Sequence, residues 1–166
     1  MTRTILVLRH AKSDQDAGSD TDHGRPLASR GRKAAARVGS HLASLEDPPG
    51  FVLCSSAVRA QQTLQLALDR GRWPCVVEIT DALYDTTADA VLELLGGQDD
   101  ARQSVLLVGH EPTWSELVAA LTGGRVQMPT AALARIDVEI ERWKDLAPDT
   151  GRLVWLVTPK LLREIG

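Results

Sequence analysis

The sequence predicts a three-layer α/β/α sandwich with a mostly parallel central sheet and one antiparallel edge strand. Three observations favour this fold class. Short apolar runs alternate with helix-like amphipathic segments as far as Gly124. Several of these runs end in polar or charged residues where the next helix begins, as parallel strands do in α/β enzymes. Beyond Gly124, apolar and polar residues alternate in two segments, a pattern typical of antiparallel strands.

The predicted elements of the first part follow the order βαβαβαβα. Strands are predicted over 4–8, 51–54, 76–79 and 104–108, and helices over 29–45, 57–68, 88–95 and 112–123. Proline and glycine mark helix ends, because Pro48-Pro49-Gly50 stops the first helix and Gly96-Gly97 closes the third. Pro112 suits the first position of the fourth helix, where its missing N–H would have no partner. The loop over 14–27, rich in Asp, Gly and Ser, is expected to form a mobile flap.

The C-terminal part is predicted to add an antiparallel pair of strands. Residues 132–141 and 152–158 both alternate, on either side of a turn at 148–151. This arrangement predicts a hairpin-like pair on one edge of the sheet. No internal repeat, low-complexity block or long linker divides the 166 residues, so we expect a single domain over 1–166.

Composition argues against several classes of protein. A formal net charge of −3 disfavours a general nucleic-acid binder, because such proteins neutralise phosphates with a basic face. No stretch approaches the ~20 consecutive apolar residues that span a bilayer, and the first residues lack the pattern of a signal peptide. We therefore expect a cytoplasmic protein without membrane or nucleic-acid partners. Cys54 and Cys75 are expected to be reduced thiols in or beside apolar strands.

Arginine and histidine follow three of the predicted strands. Arg9 and His10 come directly after the first strand, Arg59 follows the second strand, and His110 follows the fourth. Because the carboxyl ends of parallel strands meet at one edge of a sheet, these side chains are expected to lie together. Guanidinium groups match phosphate oxygens, and a neutral imidazole can attack phosphorus. The sequence therefore predicts an anion site with a built-in nucleophile.

These segments resemble the histidine phosphatase superfamily, and within it the SixA-like branch. The resemblance spans most of the chain and rests on RHAKS at 9–13, RPL at 25–27 with RG at 30–31, CSSAVRAQQT at 54–63 and GHEP at 109–112. An R-H pair alone is weak evidence, whereas the ordered set is specific. The resemblance implies a phosphoglycerate mutase-like fold, phosphohistidine chemistry and a catalytic quartet of Arg9, His10, Arg59 and His110.

Phosphoryl transfer assigns a role to each member of the quartet. His10 attacks phosphorus, while Arg9 and Arg59 hold the equatorial phosphate oxygens. His110 binds the phosphoryl group from the other side, and water then hydrolyses the phosphohistidine. The function predicted is thus that of a phosphatase with a covalent intermediate on His10.

Three further residues are predicted to bind the substrate phosphate, and no metal is needed to balance its charge. Lys12, Ser13 and Ser55 are predicted to contact the phosphate, and free phosphate, vanadate or tungstate is expected to occupy the same position. Neither a metal nor an organic cofactor is expected, because cationic side chains supply the positive charge that a metal would bring. The alternative is a metal site that combines histidine with carboxylates from Asp14, Asp16 or Asp22.

The proton donor for the leaving group decides which substrates suit such a site. Larger family members place a carboxylic acid after the third strand, where this chain has Glu78, Asp81 and Asp85. SixA-like members often lack an equivalent, and we expect none of the three to be the general acid. A site without an acid favours leaving groups that depart easily, such as the imidazole of phosphohistidine. The compact chain leaves little room for segments that close a specificity pocket, so the site should be open, and a phosphorylated protein is the first substrate predicted.

Two other functions stay open on the sequence alone. The first is a small-molecule or nucleotide phosphatase of the same family, and the second is a non-catalytic phosphate-binding module, against which the intact His10 argues. A mutase fits less well, because it needs a closed pocket. Outside the quartet, His23 is expected to be a polar loop residue, His41 a helix-surface residue, and Trp114 a residue at the pocket rim near His110.

Overall fold

Residues 1–165, which the computed structural model describes, form six strands and five helices. The strands are β1 (Thr2–Arg9), β2 (Phe51–Ser55), β3 (Val76–Thr80), β4 (Ser104–Gly109), β5 (Leu133–Glu139) and β6 (Gly151–Val157). The helices are α1 (Ser29–Ala43), α2 (Val58–Gly71), α3 (Ala88–Gly96), α4 (Thr113–Thr122) and α5 (Pro159–Ile165). Every predicted strand and helix is present, whereas α5 and two short 3-10 turns at 81–83 and 143–145 were not predicted.

The six strands form one sheet in the order β3-β2-β4-β1-β5-β6. The pairs β2–β3, β2–β4 and β1–β4 are parallel, and β5 pairs antiparallel with both β1 and β6. The predicted mostly parallel sheet is confirmed. The antiparallel strand was expected at the edge, but β5 lies inside the sheet because β6 returns along its outer side. This order suits their burial, since β5 is mostly buried and β6 is partly exposed.

Helices cover both faces of the sheet. The side chains of β1 alternate between two apolar clusters, with Ile5 and Val7 on one side and Leu6 and Leu8 on the other. The first cluster includes buried residues of α3 and α4, and the second includes buried residues of α1, α2 and α5. This is the predicted three-layer arrangement. No helix within residues 1–165 is long and apolar enough to cross a membrane.

Trp114 belongs to this core and not to the pocket rim, so the expectation for it was wrong. Its side chain is completely buried, and the indole Nε1 donates a hydrogen bond to the carbonyl oxygen of Leu8 at 2.9 Å. The ring packs against the backbone of Gly109, the last residue of β4. A Cβ atom on Gly109 would lie 2.6 Å from Cζ2 of Trp114. Glycine is therefore needed where β4 ends, because any side chain there would displace the tryptophan.

We predict that Gly109→Ala lowers the free energy of unfolding by about 2 kcal/mol, the usual range for overpacking a closed core. Urea denaturation followed by tryptophan fluorescence measures the change. The matched control is Gly50→Ala, because a Cβ atom at Gly50 meets no heavy atom within 4 Å. The control should change stability by no more than about 0.5 kcal/mol. Equal stability of the two variants would contradict the packing argument.

Candidate active site

The carboxyl ends of β1, β2 and β4 meet at one edge of the sheet and carry the predicted residues. β1 and β4 pair in a register that places Arg9 beside Gly109, so His10 and His110 follow side by side. Their ring centroids are 5.2 Å apart. Arg59 lies in the first turn of α2, which begins just after β2. Three separate parts of the chain thus deliver the two histidines and two arginines to one place.

A pocket of about 350 Å³ lies at this edge. Its lining consists of Arg9, His10, Lys12, Ser13, Gln15, Asp22, Arg25, Arg59, Tyr84, Asp85, His110, Glu111 and Thr130. The structure therefore brings together all four residues of the predicted quartet, along with Lys12 and Ser13. Four cationic side chains and three carboxylates line the pocket, so electrostatics dominates its chemistry.

His10 is held as a neutral ring with one nitrogen free. Its Nδ1 lies 2.7 Å from the carbonyl oxygen of Ala11, which can only accept, so Nδ1 carries the proton. Burial, and after it the neighbouring His110, Arg59 and Arg9, lower the pKa of His10 to about 3. At neutral pH the lone pair therefore resides on Nε2, which makes no hydrogen bond to any of the described residues.

His110 is neutral as well, and Ser55 orients it. Burial and the charge of Arg59 lower the pKa of His110 to about 4. The Nδ1 atom lies 3.5 Å from Nη2 of Arg59, which can only donate, so the Nε2–H group points to Ser55 Oγ at 2.7 Å. Ser55 was predicted to contact substrate, but it is fully buried behind the ring and does not line the pocket. Its hydroxyl positions His110 and also accepts a hydrogen bond from the backbone N–H of Ala57 at 3.2 Å.

Backbone carbonyl oxygens anchor both arginines. Nη1 of Arg9 donates to the carbonyl oxygen of Met128 at 2.9 Å, and Nη1 of Arg59 donates to that of Asp22 at 2.7 Å. Within residues 1–165 the Nε–H groups of both arginines are buried without a hydrogen-bond partner. Buried donors without partners are rare and costly in folded proteins. Because Arg9 and Arg59 both line the pocket, an anion bound there is the natural partner for their guanidinium groups.

Thr63, which the sequence analysis did not single out, ties the two halves of the site together. Its buried Oγ1 accepts a hydrogen bond from the backbone N–H of Ala11 at 2.9 Å and donates to the carbonyl oxygen of Arg59 at 2.7 Å. The sequence does contain a signal for this contact, because Thr63 lies four residues after Arg59. In a helix a threonine hydroxyl can donate a hydrogen bond to the carbonyl oxygen one turn earlier. Thr63 thereby fixes the chain after His10 against α2.

The loop over 14–27 places the carboxylate of Asp22 in the pocket, where the sequence had suggested it only as an alternative metal ligand. Asp22 Oδ2 accepts hydrogen bonds from the hydroxyl of Tyr84 at 2.7 Å and from Nη2 of Arg59 at 3.1 Å, and Oδ1 pairs with Arg25 at 2.8 Å. The hydrogen bond from Tyr84 lowers the pKa of Asp22 most, and the hydrogen bond and charge of Arg59 lower it further, to about 2. Arg25 also donates through Nε to Ser13 Oγ at 3.0 Å, which links the loop to the pocket floor.

The remaining histidines are more constrained than expected. His23 is half-buried, with Nε2 at 2.9 Å from Ser56 Oγ and its ring edge-on to Tyr84, so it anchors the loop. His41 lies on α1, half-buried against the ring of Trp155, and it does not line the pocket.

The carboxylates divide clearly between the pocket and its surroundings. Of the three predicted acid positions, Asp85 lines the pocket, whereas Glu78 and Asp81 do not. Glu111 also lines it, but its carboxylate accepts hydrogen bonds from the backbone N–H of Ser115 at 2.7 Å and from the Ser115 hydroxyl. Within residues 1–165 no group of three or more His, Cys, Asp or Glu side chains is arranged to hold a metal ion.

Comparison with known proteins places this chain in a family. Residues 5–90 match the sequence profile of the histidine phosphatase superfamily (branch 1). An uncharacterized protein of Mycobacterium tuberculosis is 33% identical over 165 residues, which cover 92% of this chain and 100% of that protein. The phosphohistidine phosphatase SixA of Escherichia coli is 28% identical over 141 residues, which cover 81% of this chain and 85% of SixA.

The solved structures agree with this placement. The structure of a protein histidine phosphatase SixA in complex with tungstate superposes with a TM-score of 0.81 at 25% identity, covering 95% of this chain and 97% of that one. The resemblance and the fold class expected from the sequence are thereby confirmed.

The pKa values of the two histidines predict a specific titration. In the folded protein both rings should stay neutral down to about pH 5, since their pKa values are lowered to about 3 and about 4 from 6.5. NMR of the imidazole nitrogens measures this directly, and the same rings in urea should titrate near their ordinary pKa. Because the unfolded chain binds these protons first, the free energy of unfolding should fall as the pH falls below about 6.5. Titration of either folded ring above pH 6 would contradict the electrostatics.

Proposed function

Because the chain belongs to the histidine phosphatase superfamily, whose enzymes hydrolyse phosphate esters, we propose that it is a metal-independent phosphatase that acts through a phosphohistidine on His10. One observation carries the proposal. The neutral ring of His10 keeps Nε2 unpartnered within a pocket whose arginines have unpaired buried donors. A nucleophile beside vacant donors for an anion is what in-line phosphoryl transfer requires.

In the first step the phosphoryl group binds with its oxygens toward Arg9 and Arg59. Nε2 of His10 attacks phosphorus, so the N–P bond forms while the bond to the leaving group breaks and its electron pair departs with that group. The two guanidinium groups stabilise the charge on the equatorial oxygens. The bound dianion favours protonation of His110, which then adds positive charge on the other side. These cations supply the charge that a metal supplies in other phosphatases.

In the second step water attacks the phosphorus of the phosphohistidine. A P–O bond to the water oxygen forms while the N–P bond breaks and its electron pair returns to Nε2. One water proton stays on the new oxygen and the other passes to a second phosphate oxygen, so that dihydrogen phosphate leaves. The hydrogen bond from Nδ1 to the carbonyl oxygen of Ala11 keeps the ring in the same orientation through both steps.

The substrate class that we propose is a protein carrying a phosphoramidate, phosphohistidine above all. Asp22 is ionised and Glu111 is engaged by Ser115, so neither is placed to donate a proton to a leaving group. Asp85 is the remaining carboxylate of the pocket, and we propose that it donates no proton either. Phosphohistidine needs little help, because its imidazole leaves readily once protonated. The rim supports a protein substrate, since Lys12 and Gln15 are exposed there, where a phosphate on another protein surface can approach.

Replacing the nucleophile tests the mechanism. We predict that His10→Ala lowers kcat by several orders of magnitude on p-nitrophenyl phosphate and still binds tungstate, because the arginines remain. Mass spectrometry of the wild type, quenched without acid, should find phosphate on His10. His41→Gln is the matched control, because His41 lies outside the pocket. Near-normal turnover in His10→Ala, or a strict need for added metal in the presence of EDTA, would refute the mechanism.

Replacing the pocket carboxylate Asp85 tests the substrate class. We predict that the wild type hydrolyses a phosphohistidine peptide best and an alkyl phosphate worst, and that Asp85→Asn stays within about threefold of it on the peptide. Glu78→Gln and Asp81→Asn are controls outside the pocket. If Asp85 were a general acid, its amide variant would lose about 100-fold on the alkyl ester and much less on an aryl ester. If the wild type hydrolyses the alkyl phosphate rapidly and Asp85→Asn loses that activity, the protein is a small-molecule phosphomonoesterase instead.

A further inference from the structure

Asp22 contacts Arg59 in two chemically different ways. Its backbone carbonyl oxygen accepts from Nη1 at 2.7 Å, and its carboxylate Oδ2 accepts from Nη2 at 3.1 Å. The first contact carries no net charge, whereas the second places a full negative charge against a guanidinium that is 7% exposed. The backbone contact is sufficient to orient Arg59, just as the carbonyl oxygen of Met128 holds Arg9.

From this division we infer that the Asp22 carboxylate is a built-in counter-charge that keeps the affinity of the pocket for phosphate low and so speeds release of the product. The inference rests on the proposed function, because it assigns Arg59 to the bound phosphoryl group. It makes Asp22 an affinity-determining residue of the site, with no part in bond making or breaking.

In the empty pocket the Asp22 carboxylate stabilises the charge of Arg59. A nearly buried guanidinium without a partner is costly, and the carboxylate of Asp22 offsets that cost. When a phosphate dianion enters, Arg59 interacts with two anions, and these repel one another. The repulsion acts on every bound phosphate, including the inorganic phosphate that must leave before the next turnover.

The carboxylate cannot swing aside without loss of contacts. Oδ1 is held by Arg25 at 2.8 Å, and Oδ2 is held by both Arg59 and the hydroxyl of Tyr84. Tyr84 belongs to the segment after β3, so two parts of the chain fix the charge beside the anion position. The repulsion is therefore a property of the resting site.

The sign of one binding change tests this role. We expect Asp22→Asn and Asp22→Ala to bind tungstate and inorganic phosphate about fivefold or more tightly than wild type, by calorimetry on the intact protein. Both variants keep the backbone carbonyl that holds Nη1 of Arg59, and Asp22→Asn also keeps a side-chain oxygen that can accept a hydrogen bond. The change common to the two variants is therefore the loss of the charge. In steady-state assays the KM for p-nitrophenyl phosphate should fall and inhibition by inorganic phosphate should strengthen.

Two controls separate the charge from its neighbours. Asp16→Asn removes one charge from the same loop without any contact to Arg59, and its affinity should stay within about twofold of wild type. Tyr84→Phe removes a hydrogen bond to the carboxylate but leaves its charge, so binding should not tighten. Affinity that is unchanged or weaker in both Asp22 variants overturns the counter-charge role and makes the carboxylate a positioning group. If the wild type binds neither anion, the proposed function itself fails, together with this inference.

Discussion

The parallel register between β1 and β4 is the constraint on which the rest of the site depends. Pairing Arg9 with Gly109 puts His10 and His110 at adjacent strand ends, and the backbone N–H of His10 continues the ladder to Gly109 at 2.9 Å. Side chains alternate between the faces of a sheet, so a slip of one residue would send His10 to the opposite face. Trp114 stabilises this register, because its ring packs on Gly109 of β4 and its Nε1 donates a hydrogen bond to the carbonyl oxygen of Leu8 in β1.

Positive charge concentrated at that edge explains most of the chemistry. Arg9 and Arg59 lower the pKa values of both histidines, an effect added to that of burial. A bound phosphate dianion would reverse this effect, because a nearby negative charge favours the protonated ring. The empty site therefore keeps both rings neutral, so that Nε2 of His10 holds its lone pair. Once Nε2 is bonded to phosphorus, His110 is the ring that remains to take a proton. One arrangement of charges serves both the nucleophile and the group that faces it.

The sequence was most informative where a residue type, a strand end and a motif coincided, as for the quartet and for Lys12 and Ser13. Trp114 was misplaced because its closeness to His110 in the chain outweighed its helical period. Leu117, Val118 and Leu121 follow it at spacings of three, four and seven, which is the pattern of a buried face.

Asp22 and Tyr84 could not be found in this way. Asp22 contacts Arg59 across 37 positions of the chain, and Tyr84 contacts Asp22 across 62 positions, both through irregular segments. Hydrophobic periodicity does not predict the path of such segments. Ser55 was recognised at the right strand end, but the side to which its hydroxyl points depends on the ring of His110 and not on the local sequence.

The sheet order also has a consequence for how the chain is made. β1 lies between β4 and β5, so the strand that ends in Arg9 has no neighbour in the sheet until residues beyond Ser104 have been synthesised. β2 and β3 are adjacent both in sequence and in the sheet, and this unit can pair much earlier on the ribosome. Pairing between strands far apart in the sequence is slow, because the intervening chain loses conformational entropy before the strand contacts can offset that loss. The apolar run Ile5–Leu8 thus stays without a strand partner for longer than the apolar run of β2.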